Sequence, residues 1–442
     1  ETMSVTETLA KNVFALWNTR VPDAALARAR IGFLDTLGVM LAGAQHPAMA
    51  TLRAVVLPWA RTGQSTVVGT ALSLNVADAA LLNGAAAHML DFDDSNSQLH
   101  GHPSVAVLPA LLAIAEELNA SGEDVLRAYI CGIETCCRLG MGAGRYQYTH
   151  GWHPTATIGV FGGVAAAALL RGLDEKQLET AFGLVSSMAC GIKANFGTPT
   201  KPFIIGHAAR NAVMAVCLAH KGFAASTTAF DHHHGYLNVF NSGPDNYDVS
   251  RILEGWGKPL CILDMGLKQK RYPCCYACLP VVEAIENLKE NNVFSIDDVE
   301  SVHVAVHAIR YPHINVPDPS NALAAKFSVH YCVAQSLING ILRIEDFEGD
   351  LPHNPQIRDL MRRVTLTTYD RDNTSGADVT ITFKDGRQIT DYVALTRGAS
   401  ALSPLPWAEL RAKFFYCASR ATPPSCSPSS CDALTPPDTA PL

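Results

Sequence analysis

The sequence is poor in charge and poor in the motifs that announce common chemistries. Asp, Glu, Lys and Arg make up 17% of its 442 residues, and the net charge is −7. With no basic run to offset that balance, nucleic-acid binding has no electrostatic footprint here. There is no P-loop and no G-x-G-x-x-G between a strand and a helix, so no nucleotide cradle is expected. G-x-S-x-G is absent as well, which removes a common hydrolase elbow. The opening residues E-T-M-S-V-T-E-T-L-A contain no apolar signal core. The longest uncharged apolar run, from Thr155 to Leu170, is too short and too rich in Gly and Ala to span a membrane. No membrane association and a cytoplasmic location are therefore expected. The C-x-x-C spacing of Cys275 and Cys278, next to Cys274, has no second pair elsewhere. A structural zinc site would want that pair, so no metal is expected. The 13 cysteines read as reduced, mostly buried thiols.

What is present is a large apolar inventory, 48% of the chain, enough for more than one core. From residue 4 to about 265 the apolar period is helical. The segment 25–43 is apolar on nearly every side, which makes it a buried helix with Asp35 as a structural carboxylate inside it. Ser121 caps a further helix, with Asp124 three residues on. After about residue 265 alternating patterns appear at Val302, Val304 and Val306, at Val364 and Leu366, and at Val379, Ile381 and Phe383. Asp385-Gly386 marks a hairpin turn. The expected fold is mainly α and multidomain: a helical domain over 1–265 completed by 396–420, an α+β lid over 266–395, and an irregular tail over 421–442.

The densest polar stretch runs from His88 to Pro103, H-M-L-D-F-D-D-S-N-S-Q-L-H-G-H-P. It places Asp91, Asp93, Asp94, His88, His100 and His102 beside Ser95 and Ser97, with Ala- and Leu-rich helices on both sides. Charge set among apolar elements is expensive unless it is paired or used. Further bases and cations lie on polar loops between the helices: His150, His153, Lys193, Lys201, His207, Lys268 and Lys270. Such a set suits proton transfer at a carbon next to a carboxylate, which needs a placed base and donors to stabilise the developing charge.

Several of these stretches, in order along the chain, resemble the MmgE/PrpD family. They are L-D-T-L-G-V-M-L-A-G (34–43), L-D-F-D-D (90–94) with H-P-S (102–104), W-H-P-T-A-T-I-G (152–159), G-T-P-T-K-P (197–202), G-H-A-A-R-N (206–211), K-R-Y-P-C-C (270–275) and A-K-F-S-V-H-Y (325–331). The resemblance implies a large helical domain with a smaller α+β lid, a homodimer, no cofactor and a pocket between the two parts. It also implies a small polycarboxylate substrate. Asp93, His102, His153, Lys201 and Lys270 match the family's functional motifs, and Tyr331 is a further catalytic candidate. Lys201, Lys270, Arg271, Ser97 and His100 are the expected substrate-binding residues. On this reading the lysines bind carboxylate, His102 and His153 transfer protons, and Asp93 orients a histidine. Two departures from the family pattern remove an imidazole: Ile204 stands where many members have histidine, and Tyr276-Ala277-Cys278-Leu279 contains none. They point to an epimerase, closest to iminodisuccinate epimerase, with a lyase of the 2-methylcitrate dehydratase or cis-aconitate decarboxylase type as the alternative.

Overall fold

A computed structural model describes residues 3–400 and 403–421. The irregular tail expected over 421–442 lies, apart from its first residue, outside the described residues. Two hydrophobic cores divide the chain. The first draws on buried side chains from Val5 to Leu267, and the second on Tyr272 to Val393.

Capping chemistry fixes several helix starts in the first part. The Ser4 side chain accepts from the Glu7 amide at the head of Val5–Trp17, and Ser121 accepts from the Asp124 amide at 3.1 Å at the head of Gly122–Leu139. The helices Val76–His88, Pro103–Leu118, Gly159–Arg171 and Thr200–His220 pack on one another as the centre of this body. Pro154–Arg171 and Thr200–His220 have the length and apolarity of membrane spans, yet 89% and 61% of their apolar windows are buried inside the protein. Departing from an all-helical expectation, Thr62–Thr66 and Ser73–Leu74 pair as a short antiparallel ribbon.

The lid holds a four-stranded sheet in the order Val364–Tyr369, Val299–His307, Ala377–Phe383, Gln388–Val393. The first pair is parallel and the others antiparallel. Ala377–Phe383 buries every second residue, as a sheet with one covered face requires. The covering helices are Leu279–Asn291 and Val329–Asn339. Gly386 takes the left-handed φ of +85° at the hairpin. After the lid, Trp407–Ser419 returns to the helical body and packs along Asp23–Gly43. The charge that stood out inside Asp23–Gly43, Asp35, meets Lys413 of this last helix at 2.7 Å.

One close approach sets the position of the site. Val76–His88 and Thr200–His220 cross with Gly84 against Gly206, where a Cβ on Gly206 would lie 2.1 Å from the carbonyl oxygen of Leu81. This contact brings the ends of the two helices, with His88 and Lys201, to the same region. Gly206→Ala should therefore lower the thermal midpoint, by an amount equivalent to about 1–3 kcal/mol of overpacking. Gly122→Ala, at a helix start where nothing lies within 4 Å of the added carbon, should leave it unchanged or slightly raised.

Candidate active site

Three X-Pro corners build the site. His102 precedes Pro103, His153 precedes Pro154 and Lys201 precedes Pro202. A residue before proline is pushed out of the helical region. His102 and His153 accordingly sit extended, at φ/ψ of −116°/94° and −103°/92°. Each caps the helix that begins at its proline, and Lys201 lies in the first turn of Thr200–His220.

Asp93 is the hub for the histidines. Nδ1 of His88 lies 3.0 Å from both carboxylate oxygens, so it donates, since an ionised carboxylate only accepts. Nδ1 of His102 comes within 2.9 Å of Oδ2, with its N–H turned off the line to the oxygen. The His88 ring stands edge-on to that of His102 at 4.6 Å and lies 5.8 Å from that of His153. Burial lowers the pKa of His88 to about 4, with Asp93 opposing that shift in part. Burial, with His88 and Lys201 nearby, also holds His153 well below its ordinary value. Both rings are neutral at pH 7. Burial would raise the Asp93 carboxyl, but His88 and His102 outweigh it and keep the group ionised.

Asp91 is the hub for the lysines. Its φ of +52° is left-handed, a conformation Asp tolerates better than most residues. Its carboxylate accepts from Nζ of Lys201 at 2.7 Å and of Lys270 at 3.1 Å. Three successive carbonyls of this loop each receive a different buried lysine. Lys326 donates to Leu90 O at 2.7 Å, Lys270 to Asp91 O at 2.8 Å and Lys413 to Phe92 O at 2.8 Å. Lys326 also reaches Pro273 O, and Lys413 reaches Lys270 O. Burial alone would raise the Asp91 carboxyl; Lys201 and Lys270 reverse that and hold it far below its usual range.

The structure thus brings Asp93, His102, His153, Lys201 and Lys270 together. Ser97 and His100 lie at the border of this cluster. Ser97 accepts from Lys268 at 2.6 Å, and the His100 ring is 6.4 Å from that of Tyr148. Two expected residues lie elsewhere. The Arg271 guanidinium is engaged by Glu286 at 2.6 Å and Glu409 at 2.8 Å, so it ties the lid to the last helix rather than offering itself to substrate. Tyr331 is buried in the lid core beside Phe347, donating to Asp346 O and accepting from Gln335. His150 stacks on Tyr146 at the surface, and His207 lies beside Phe203. Asp91, His88, Lys326 and Lys413 carry more of the site than the sequence reading gave them. A signal existed for Lys413: Leu410, Lys413, Phe414 and Cys417 share one helical stripe, so the lysine sits among apolar neighbours, as Asp35 does in its own helix.

His88, Asp91, Asp93 and His102 offer ligand atoms within 4.8 Å of one another, the spacing of a cation site. Lys201 and Lys270 already supply the positive charge there, and a divalent ion would have to displace or repel them. Cys274 and Cys278 are buried free thiols near Cys332 in the lid core, and Cys275 is half-buried.

Because Asp91 neutralises two buried cations, Asp91→Asn should destabilise the protein by about 3–5 kcal/mol. The sign of its pH dependence follows from the depressed carboxyl. Its contribution is complete above its unfolded value of about 4 and fades only as pH falls toward the lower folded value. Thermal midpoints of the two proteins should therefore differ by a constant amount from pH 8 to about 5. A gap that closes within that range would contradict the assignment.

The MmgE/PrpD N-terminal domain matches residues 7–247, and the MmgE/PrpD C-terminal domain matches residues 272–426. A cis-aconitate decarboxylase of Aspergillus terreus is 29% identical over 413 residues, covering 87% of this chain and 83% of its own. Cis-aconitate decarboxylases of Mus musculus and Homo sapiens are each 29% identical, over 93% and 88% of this chain and 86% and 82% of theirs. With the two domain matches falling on the two cores, and lysines of both parts meeting on the polar loop that carries Asp93, the chain belongs to the MmgE/PrpD family.

Proposed function

We propose that this enzyme is a cofactor-independent carbon–carbon lyase that decarboxylates a small unsaturated tricarboxylate of the cis-aconitate kind. The observation that carries the reading is the pairing of two buried lysines on Asp91 with two neutral histidines close to an ionised Asp93. The relatives, named for cis-aconitate decarboxylation, weigh toward a lyase and away from the epimerase that the two missing imidazoles favour.

The chemistry asks for little else. In a tricarboxylate with an allylic carboxylate, the bond from the CH2 carbon to CO2 breaks, and its electron pair forms a new C=C with the central carbon. The original alkene pair moves to the far carbon, which takes a proton. Lys201 and Lys270 each keep N–H groups beyond those given to Asp91, and these stabilise the negative charge that grows on the conjugated carboxylate. His102, steadied by Asp93, delivers the proton or relays it. His153, whose ring lies 5.8 Å from that of His88, is a second proton-transfer group.

That second imidazole keeps one other reading alive. With two proton-transfer groups, a residue pair can remove an α-proton on one face and return it on the other, which is epimerisation. Incubation with cis-aconitate in deuterated buffer separates the two. The expected result is release of CO2 and one deuterium fixed at the far carbon of the product. His102→Ala and His153→Ala should each slow it by about 10²-fold or more, with folding checked by circular dichroism. Exchange of the α-proton of a secondary-amine polycarboxylate such as iminodisuccinate, with no CO2 from any acid, would replace the lyase with the epimerase.

A further inference from the structure

The charges of the innermost set cancel except for that of Lys326, which is held by the carbonyls of Leu90 and Pro273 and not by a carboxylate. Asp91 and Asp93 stand against Lys201 and Lys270, with His88 and His153 neutral. Lys326 gives its N–H groups to those carbonyls, so a polyanion gains little attraction from that set, and positive charge beside it would add to recruitment.

It is found beside the site, around two tyrosine rings. Lys268 is only 7% exposed. Its Nζ donates to Ser97 Oγ at 2.6 Å and lies 4.8 Å from the centre of the Tyr276 ring. The Arg310 guanidinium approaches the same ring at 5.7 Å, held by an Nε bond of 2.9 Å to Thr374 O. From the helical body, Lys193 covers the Tyr148 ring at 3.6 Å and donates to Tyr148 O. His313, on the lid, sits 5.8 Å from that ring. Among the described residues none of the three cations has a carboxylate partner, whereas the buried Arg138, Lys270 and Lys413 each have one and the buried Lys326 has two carbonyl acceptors in its place. A buried, unpaired ammonium is costly to maintain. Burial followed by Arg310 pushes Lys268 down to about 8, the mark of a cation that lacks its counter-charge. The position is continuous with the reaction site: Lys268 is two residues from Lys270 and pairs its backbone with Ser95, four residues before Leu99 on the loop that carries Asp93.

We propose that Lys193, Lys268 and Arg310 form a second anion subsite, where helical body and lid meet, that holds the substrate carboxylates taking no part in bond-making. The enzyme thereby selects acids with three or more carboxylates over dicarboxylates. This rests on the polycarboxylate reading above and goes further by dividing recognition from chemistry. Carboxylate is the ligand group; phosphate is the rival anion that the test must separate.

Tricarballylate and glutarate, saturated acids with three and two carboxylates and no allylic bond to break, are the probes. Titration calorimetry at pH 7.5 and fixed ionic strength should give tricarballylate an affinity at least about tenfold above glutarate for the wild type. Lys268→Met and Arg310→Gln should each weaken tricarballylate by about tenfold or more, the scale of losing a desolvated charge contact, while glutarate changes by less than about threefold. Lys193→Met, at a half-exposed position, serves if the buried Lys268 variant fails to fold. Arg387→Gln, on the exposed hairpin, should change neither. Equal affinity for the two acids, parallel loss of both in the variants, or inorganic phosphate binding as tightly as tricarballylate would overturn the subsite. Selective loss of tricarballylate without turnover of cis-aconitate would sustain the subsite and remove the lyase.

Discussion

Four lysines from four parts of the chain converge on residues 90–92, and most of the architecture can be understood as what it takes to bring them there. Lys201 comes from a central helix, Lys270 from the segment entering the lid, Lys326 from the lid and Lys413 from the last helix. Each ammonium is buried, so each needs acceptors. The loop supplies three backbone carbonyls and one carboxylate, and Asp91, at a left-handed φ, offers both kinds. Ion pairs of this sort add little net stability compared with an apolar core of the same volume. Their effect is directional: a displaced lid or last helix would leave a buried charge without a partner. Helical body, lid and C-terminal helix are thus held in one relative arrangement around the loop that also carries Asp93.

That arrangement has an electrostatic consequence for the histidines. A buried imidazole beside two lysines is kept neutral, and a neutral imidazole can accept a proton. Asp93 holds His88 in the tautomer that leaves Nε2 unprotonated, and this nitrogen is buried without a partner. The carboxylates remain ionised because cations and ring N–H groups face them. Acid and base character in this cleft is therefore set by which hub, Asp91 or Asp93, a group is tied to.

Much of this was legible in the sequence, for identifiable reasons. The helical body and the strands around Val302, Val364 and Val379 show because apolar residues recur at the period of the element that buries them. His102, His153 and Lys201 show because each stands before a proline at a helix start, a local feature that reports local backbone. What stayed hidden depended on tertiary contacts that no local pattern reports. Arg271 reads as a substrate cation until Glu286 and Glu409 are seen to engage it. Tyr331 reads as a base until its hydroxyl is seen to be engaged by Asp346 and Gln335 inside the lid. Lys413 and Asp35, each an odd charge on an apolar face, could have been matched by sign, but nothing local says that the two helices touch. Arg310, on a turn after a strand, carries no pattern at all.

The distribution of charge also bears on how one scaffold can serve related acids. An inner set whose charges nearly balance does not discriminate strongly among anions; it holds proton-transfer groups at fixed places and stabilises charge that develops on a bound carboxylate. Discrimination then falls to the cations left unpaired around Tyr148 and Tyr276, which lie on segments of the helical body and of the lid. Lys193 and Arg310 are half-buried and not tied to the lysine-bound loop by ion pairs, so substitutions at those two disturb the fold less than a change at Asp91 would. Variation in substrate can be accommodated at that rim while the loop from His88 to Pro103, and the four lysines that fix it, stay as they are.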